Sequence, residues 1–330
     1  MIASAIDDKS PYTGGHCRRI PVLTMMLAEA AHGTEIGPLK DFRITDKDRY
    51  ELETAAWLHD CGKIVTPDYV MDKATKLETI FNRIHILETR IEVLMRDAEI
   101  AYLRARIDSD NSDRILATLK QQYEDQCQQY RDDLAFLQKI NIGGEFMSDD
   151  DITRVSNLAK YSWIDLNGEL RPLVSEDEIE NLSIRRGTLN DNEREIINNH
   201  IVATIKMLES LPFPKNLKNV PEFAGGHHEK MDGSGYPKGL HRNEMSVQAR
   251  IMAIADIFEA LTASDRPYKK GKPLSECLKI MGYMKKDQHI DPDIFDIFIK
   301  ERIYLDYADK FLDPEQIDEI DESTIPGYVN

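Results

Sequence analysis

His227-His228-Glu229-Lys230-Met231-Asp232-Gly233-Ser234-Gly235-Tyr236-Pro237 is the stretch on which the reading of this chain turns. Two adjacent imidazoles and two nearby carboxylates run into a Gly-Ser-Gly-Tyr-Pro turn. Imidazole is a common metal ligand, and glycine lets backbone approach a ligand closely. Neighbouring side chains point in different directions on any regular element. Both histidines can therefore serve one metal cluster only where the chain bends, and two glycines and a proline supply the bend. Alone, the pair reads equally well as a surface accident; a second cluster far upstream decides between the two.

That cluster is Trp57-Leu58-His59-Asp60-Cys61-Gly62-Lys63, closing an apolar helical pattern that begins near Tyr50. His59 offers a neutral nitrogen and Asp60 an anionic carboxylate, whose two oxygens could bridge two ions. Lys63 follows at helical spacing, which predicts the same helical face and suits an anionic ligand held over metals. His200 ends the run 192–199, and Asp256 sits in the apolar segment Ile254-Ala255-Asp256-Ile257-Phe258. A carboxylate embedded there costs several kcal/mol unless neutralised, by a metal or by a cation such as Arg250.

The ordered set His16, His59-Asp60-x-x-Lys63, His200, His227-His228-Glu229-x-x-Asp232-Gly-x-Gly-Tyr-Pro and Asp256 resembles an HD-GYP domain. This is the metal-dependent phosphodiesterase branch of the HD phosphohydrolase superfamily. Further matches are Pro11-Tyr12-Thr13-Gly14-Gly15-His16, Ala249-Arg250-Ile251 and Asp265-Arg266-Pro267-Tyr268-Lys269, so the likeness covers roughly residues 10–75 and 188–285. The resemblance implies an all-α helical bundle and seven metal ligands: His16, His59, Asp60, His200, His227, His228 and Asp256. Asp60 would bridge two divalent transition-metal ions, iron or manganese first, with nickel, cobalt or zinc as further candidates. Asp60 and Lys63 would be the catalytic residues, and Lys63 would orient the phosphate or stabilise its developing charge. Gly235, Tyr236, Arg266 and Lys269 would meet the substrate alongside Lys63.

The implied reaction is hydrolysis of a cyclic dinucleotide by a hydroxide bridging the metals, as two-metal sites do in phosphodiester cleavage. Cyclic di-GMP opened to linear pGpG, and on to GMP, leads the expectation. Cyclic GMP-AMP is the rival substrate, and a catalytically weak nucleotide-binding sensor is the rival role. A mononucleotide HD hydrolase fits less well, because the Gly-Tyr-Pro loop has no place in it. Some members hold a third metal through a glutamate four residues before the first histidine. Tyr12 stands there, which predicts a dinuclear centre. A diguanylate cyclase or a sensory protein is the kind of partner the family implies.

Composition agrees with this and excludes other classes. With 330 residues, 41 % hydrophobic and 31 % charged, the chain can bury a substantial core. A net charge of −17 argues against polymeric nucleic acid as partner, while a small anion remains compatible with a metal-lined pocket. No apolar run of roughly eighteen residues exists, so no membrane span is expected, and the N-terminus lacks a signal-peptide pattern. Cys17, Cys61, Cys127 and Cys277 are scattered without a Cys-x-x-Cys pair, which predicts reduced thiols and a cytoplasmic location.

The pattern predicts helices over 17–31 and about 46–62, the second capped by Thr45 or Asp46. Ile84, Leu87, Ile91, Leu94, Ala98, Ala101 and Ala105 form a heptad seam. Leu116, Leu119, Tyr123, Cys127, Tyr130, Leu134 and Leu137 form a second. Together they predict a long antiparallel helical hairpin over about 77–140, inside an insertion at 76–187 that splits an HD-GYP catalytic domain of 1–75 and 188–330. Short helices are expected near 149 and 176, and Tyr161–Leu166 reads as a connector or short strand. Paired seams favour a homodimer or docking through the hairpin over an inert ornament. His85 reads as a solvated residue. Val247–Ala260 is a further helix, and the acidic C-terminus reads as a solvated tail.

Overall fold

The computed structural model describes residues 6, 9, 14–109, 112–144, 146–264 and 271–328. The architecture is all-α with one two-stranded sheet, and it divides into two compact units, residues 1–67 with 195–330, and residues 68–194. In chain order the helices are α1 (Gly14–Gly33), α2 (Asp46–Leu58), α3 (Asp68–Met71), α4 (Ile84–Asp108), α5 (Asp113–Asn141) and α6 (Asp149–Leu158). After strands β1 (Ser162–Ile164) and β2 (Leu170–Pro172) come α7 (Glu176–Leu182), α8 (Asp191–Asn198), α9 (His200–Glu209) and α10 (Val220–Gly225). The chain closes with α11 (Val247–Thr262), α12 (Leu274–Lys286), α13 (Pro292–Lys300) and α14 (Ile303–Phe311). Among the described residues no helix is long and apolar enough to cross a membrane.

In the first unit, the predicted apolar face of α1 is buried through Ile20, Leu23 and Leu27. It packs with Leu52, Ala55 and Ala56 of α2 and with Ile251, Ile254 and Phe258 of α11. Phe258 meets Phe298 and Tyr307 edge-on, with ring centroids 5.0 and 5.5 Å apart, an arrangement aromatic quadrupoles favour. Thr45, not Asp46, caps α2: its hydroxyl accepts from the Asp48 backbone N–H while the Asp48 carboxylate accepts from Thr45 N–H. The acidic C-terminal segment differs from a free tail. Its charges face solvent, yet Glu322 accepts from the Tyr304 hydroxyl, Asp318 from Ser275 and Gln316 donates to Thr262 and Lys272 carbonyls, with Ile325 in the core.

The second unit contains the hairpin of α4 and α5. Ile84, Leu87, Ile91, Leu94 and Ala98 are buried against Tyr130 and Leu137, covered by Val155 and Leu158 of α6 and by Leu182 of α7. The seam does not continue as the periodicity predicts. Ala101 is exposed, and among the described residues the buried cluster on α4 ends at Ala98. Tyr102 stacks on Tyr123 there, at 5.2 Å, and Ile100, Leu103, Ile107 and Ile115 face solvent. Tyr161–Leu166 supplies β1, paired antiparallel with β2. His85 is exposed, bonded to Glu88 one turn on.

Candidate metal centre

Helix α2 stops at Leu58, earlier than its periodicity suggests, so His59 and Asp60 lie in a turn before a 3-10 helix, Cys61–Val65. The cause is Gly62. It presses on the start of α9 so closely that a Cβ there would sit 2.0 Å from the His200 carbonyl oxygen and 2.5 Å from Thr204 N. Gly62 N–H donates to Thr204 Oγ1 at 2.8 Å, which fastens the turn. His200 therefore opens α9 rather than closing the preceding run, directly beside Asp60. Lys63 belongs to the 3-10 turn, not to α2, and its Nζ lies 2.5 Å from Asp60 Oδ2.

Helix α10 ends at Gly225, and the chain turns through His227 and His228, the bend that adjacent ligands require. Their rings lie 4.1 Å apart. Glu51 of α2 prepares this arm by accepting from the backbone and side-chain N–H groups of Asn219, the N-cap of α10. Beyond it, buried Glu229 accepts from Lys238 N at 2.8 Å and Leu240 N at 2.9 Å, pinning the Gly-Tyr-Pro loop. Gly235 crosses so near that a Cβ would lie 2.4 Å from Glu229 Cα. Tyr236 lies over His228, centroids 4.8 Å apart and planes 20° off parallel. Glu229→Gln sets an amide N–H against one of the two backbone donors, an expected local loss of about 1–3 kcal/mol. Hydrogen exchange at Lys238 and Leu240 should quicken accordingly; unchanged exchange would count against this role.

The seven predicted ligands come together. Asp60, His200, His227 and His228 form one group and His16, His59 and Asp256 another, each with its donor atoms within 4.8 Å of one another. Asp60 faces both. Its Oδ1 lies 3.2 Å from His200 Nε2, and its Oδ2 lies 3.3 Å from both His16 Nε2 and His59 Nε2. Asp256 Oδ1 is 3.3 Å from His16 Nε2. The alternative partner for Asp256 is ruled out, since Arg250 pairs with Asp291 instead.

Three of the histidines share one local device. The Nδ1–H of His59, His200 and His227 donates to the carbonyl three residues earlier, of Ala56, Ile197 and Ala224, at 2.8, 2.5 and 2.6 Å. A carbonyl only accepts, so the proton sits on Nδ1 and each Nε2 lone pair is presented inward. Nε2 of His227 and Oδ1 of Asp60 are buried without a hydrogen-bond partner. Buried acceptors facing one another are costly unless a cation sits between them, so the donor set fits metal ions. Protonation agrees. Burial, then the neighbouring histidines, holds His227 and His228 well below the usual imidazole range, hence neutral. Burial works to raise Asp60, but Lys63 and then His59 outweigh it and keep the carboxyl well below its usual range. His16 departs from this pattern: burial works downward, but hydrogen bonds to Asp60 and Glu259 lift it to about 9, toward the charged form.

Sequence reading missed Glu259, Arg19, Glu51 and Thr204. Only Glu259 carried a signal, three residues after Asp256 on the same buried face. Tyr12, Arg266 and Lys269 lie outside the described residues, as do the segments Pro11–Thr13 and Asp265–Lys269 around them. None of the four cysteines forms a disulfide, and burial pushes the Cys61 thiol up to about 11, consistent with unreactive side chains.

Residues 176–294 match the HD domain family. Over 114 residues the chain is 38 % identical to 3'3'-cGAMP-specific phosphodiesterase 1 of Vibrio cholerae, covering 34 % of this chain and 26 % of that protein. It is 35 % identical over 117 residues to a cyclic di-GMP phosphodiesterase of Thermotoga maritima, 36 % of this chain and 31 % of the relative. A cyclic di-GMP phosphodiesterase of Pseudomonas aeruginosa is 45 % identical over 74 residues, covering 22 % of this chain and 17 % of its own. The chain thus spans about a third or less of the length of these relatives. The matched parts resemble the HD superfamily, and with the motifs they are similar to its HD-GYP type.

Proposed function

We propose that this chain is a metal-dependent phosphodiesterase that hydrolyses a cyclic dinucleotide. The catalytic role falls to residues 1–75 and 188–330, with 76–187 an insertion. The observation that carries the reading is Asp60, whose two oxygens face two separate groups of inward-pointing donors. The seven residues would hold two divalent transition-metal ions, iron or manganese in first place, given mixed imidazole and carboxylate donors. Such a pair supplies a nucleophile at neutral pH and charge neutralisation for the phosphate.

The chain's own residues do the rest. The backbone carbonyls behind His59, His200 and His227 hold the rings so that Nε2 points inward. Lys63 keeps Asp60 ionised and places a cation where a phosphate oxygen can meet it. The loop pinned by Glu229 lays Gly235 on the Glu229 backbone and the Tyr236 ring against His228, one wall of the substrate site. Arg266 and Lys269 would meet phosphates or guanine edges. Cyclic di-GMP is the first substrate, cut to pGpG and further to GMP; cyclic GMP-AMP is the second reading, since the relatives named above act on one or the other. The exposed Ile100, Leu103, Ile107 and Ile115 support the hairpin as a self-association or docking surface.

Chromatography of both nucleotides after incubation with manganese- or iron-loaded protein tests the activity. A linear product from at least one is expected with wild type and not with His59→Ala. No product from either nucleotide, or equal product from the variant, would overturn the proposal.

A further inference from the structure

His16 is held differently from the other anchored histidines. His59, His200 and His227 use a backbone carbonyl of their own segment, whereas the Nδ1 of His16, on α1, meets the carboxylate Oε2 of Glu259 on α11. Glu259 is 1 % exposed. Its other oxygen accepts from Arg19 Nε at 2.7 Å and lies 2.5 Å from Arg19 Nη2. The two helices face each other in matched pairs. Arg19 stands one turn beyond His16, and Glu259 one turn beyond Asp256. Asp256 meets the Nε2 of His16, and Glu259 meets its Nδ1.

We propose that Glu259, held by Arg19, is the positioning residue that makes His16 a metal ligand. The inference rests on the metal-centre reading above and adds a residue to it. A carboxylate on Nδ1 fixes the proton there, aims Nε2 at the site and strengthens it as a donor. Removing such a partner costs metal affinity about 10- to 100-fold. The effect is local: His16 belongs with His59 and Asp256, so only one of the two ion sites should weaken. A plain clamp between α1 and α11 would alter thermal stability alone, without singling out one site.

The test is cobalt binding to the full chain, followed by visible absorption and by competition with a chelator. Melting temperatures of the metal-free proteins are measured alongside. Wild type should bind two ions. Glu259→Gln should melt below wild type, because it breaks the buried ion pair with Arg19, and should also weaken one ion about 10- to 100-fold with the other unchanged. Glu259→Asp, which keeps the charge, should recover part of the loss. In a His16→Ala background, Glu259→Gln should weaken neither ion further. Two ions bound with wild-type affinity in both Glu259 variants would overturn the inference while leaving the metal centre standing. So would additional weakening in the His16→Ala background. Failure of wild type to bind any ion would overturn the metal-centre reading itself, and this inference with it.

Discussion

Asp60→Asn should abolish hydrolysis, lowering the rate by roughly a thousandfold or more, equivalent to about 4 kcal/mol of barrier. The carboxylate presents Oδ1 toward His200 and Oδ2 toward His16 and His59, so among the described residues it alone addresses both groups of donors. An amide has no charge to share, and its NH2 turns a donor toward one group whichever way it is placed. Both ions should therefore bind more weakly, not one. The substitution also breaks the ion pair between Lys63 Nζ and Asp60 Oδ2, and breaking a buried ion pair costs about 3–5 kcal/mol. Lys63 keeps partial access to water, so the loss should sit at or below the low end of that range. Turnover, metal content and melting temperature of the one variant check all three statements. A variant that holds two ions and retains activity would remove Asp60 from the centre of the account.

Gly62→Ala is the second large effect, and it acts without touching a ligand. The added Cβ would fall 2.0 Å from the His200 carbonyl and 2.5 Å from Thr204 N. Both atoms are backbone at the start of α9 and cannot swing aside as a side chain can. The 3-10 turn must lift off α9, breaking the Gly62–Thr204 hydrogen bond and parting Asp60 from His200. A loss of at least about 3 kcal/mol is expected, in the upper range for single substitutions, along with weakened metal binding. Gly33→Ala is the control. No atom lies within 4 Å of a Cβ there, and its effect should be small. Equal melting temperatures for the two alanine variants would contradict the packing argument.

What could be read from the chain and what could not differ for physical reasons. The candidate ligands were legible because imidazole and carboxylate chemistry is written in residue identity. His59-Asp60 and His227-His228 announce themselves at any fold. The ends of helices were less so. The periodicity of α2 runs past Leu58, but the close approach of Gly62 to α9, distant in sequence, decides where the helix stops. The hairpin seam was correct as far as Ala98, where elements of the same unit cover it, and failed at Ala101, which is exposed. Periodicity reports a face, not what lies over it. Glu259 and Arg19 were invisible for a similar reason: a positioning carboxylate is an ordinary charged residue until tertiary packing sets it on a histidine. The docked C-terminal segment belongs here too, since its exposed acidic residues conceal the few contacts through Tyr304, Ser275 and Ile325 that hold it.

The most direct measurement is anomalous scattering from a crystal of the manganese-loaded chain. Two peaks are predicted, one among Asp60, His200, His227 and His228, and one among His16, His59 and Asp256, with Asp60 reaching both. A crystal that shows no peak among these seven residues, or places its metal elsewhere, would contradict the account.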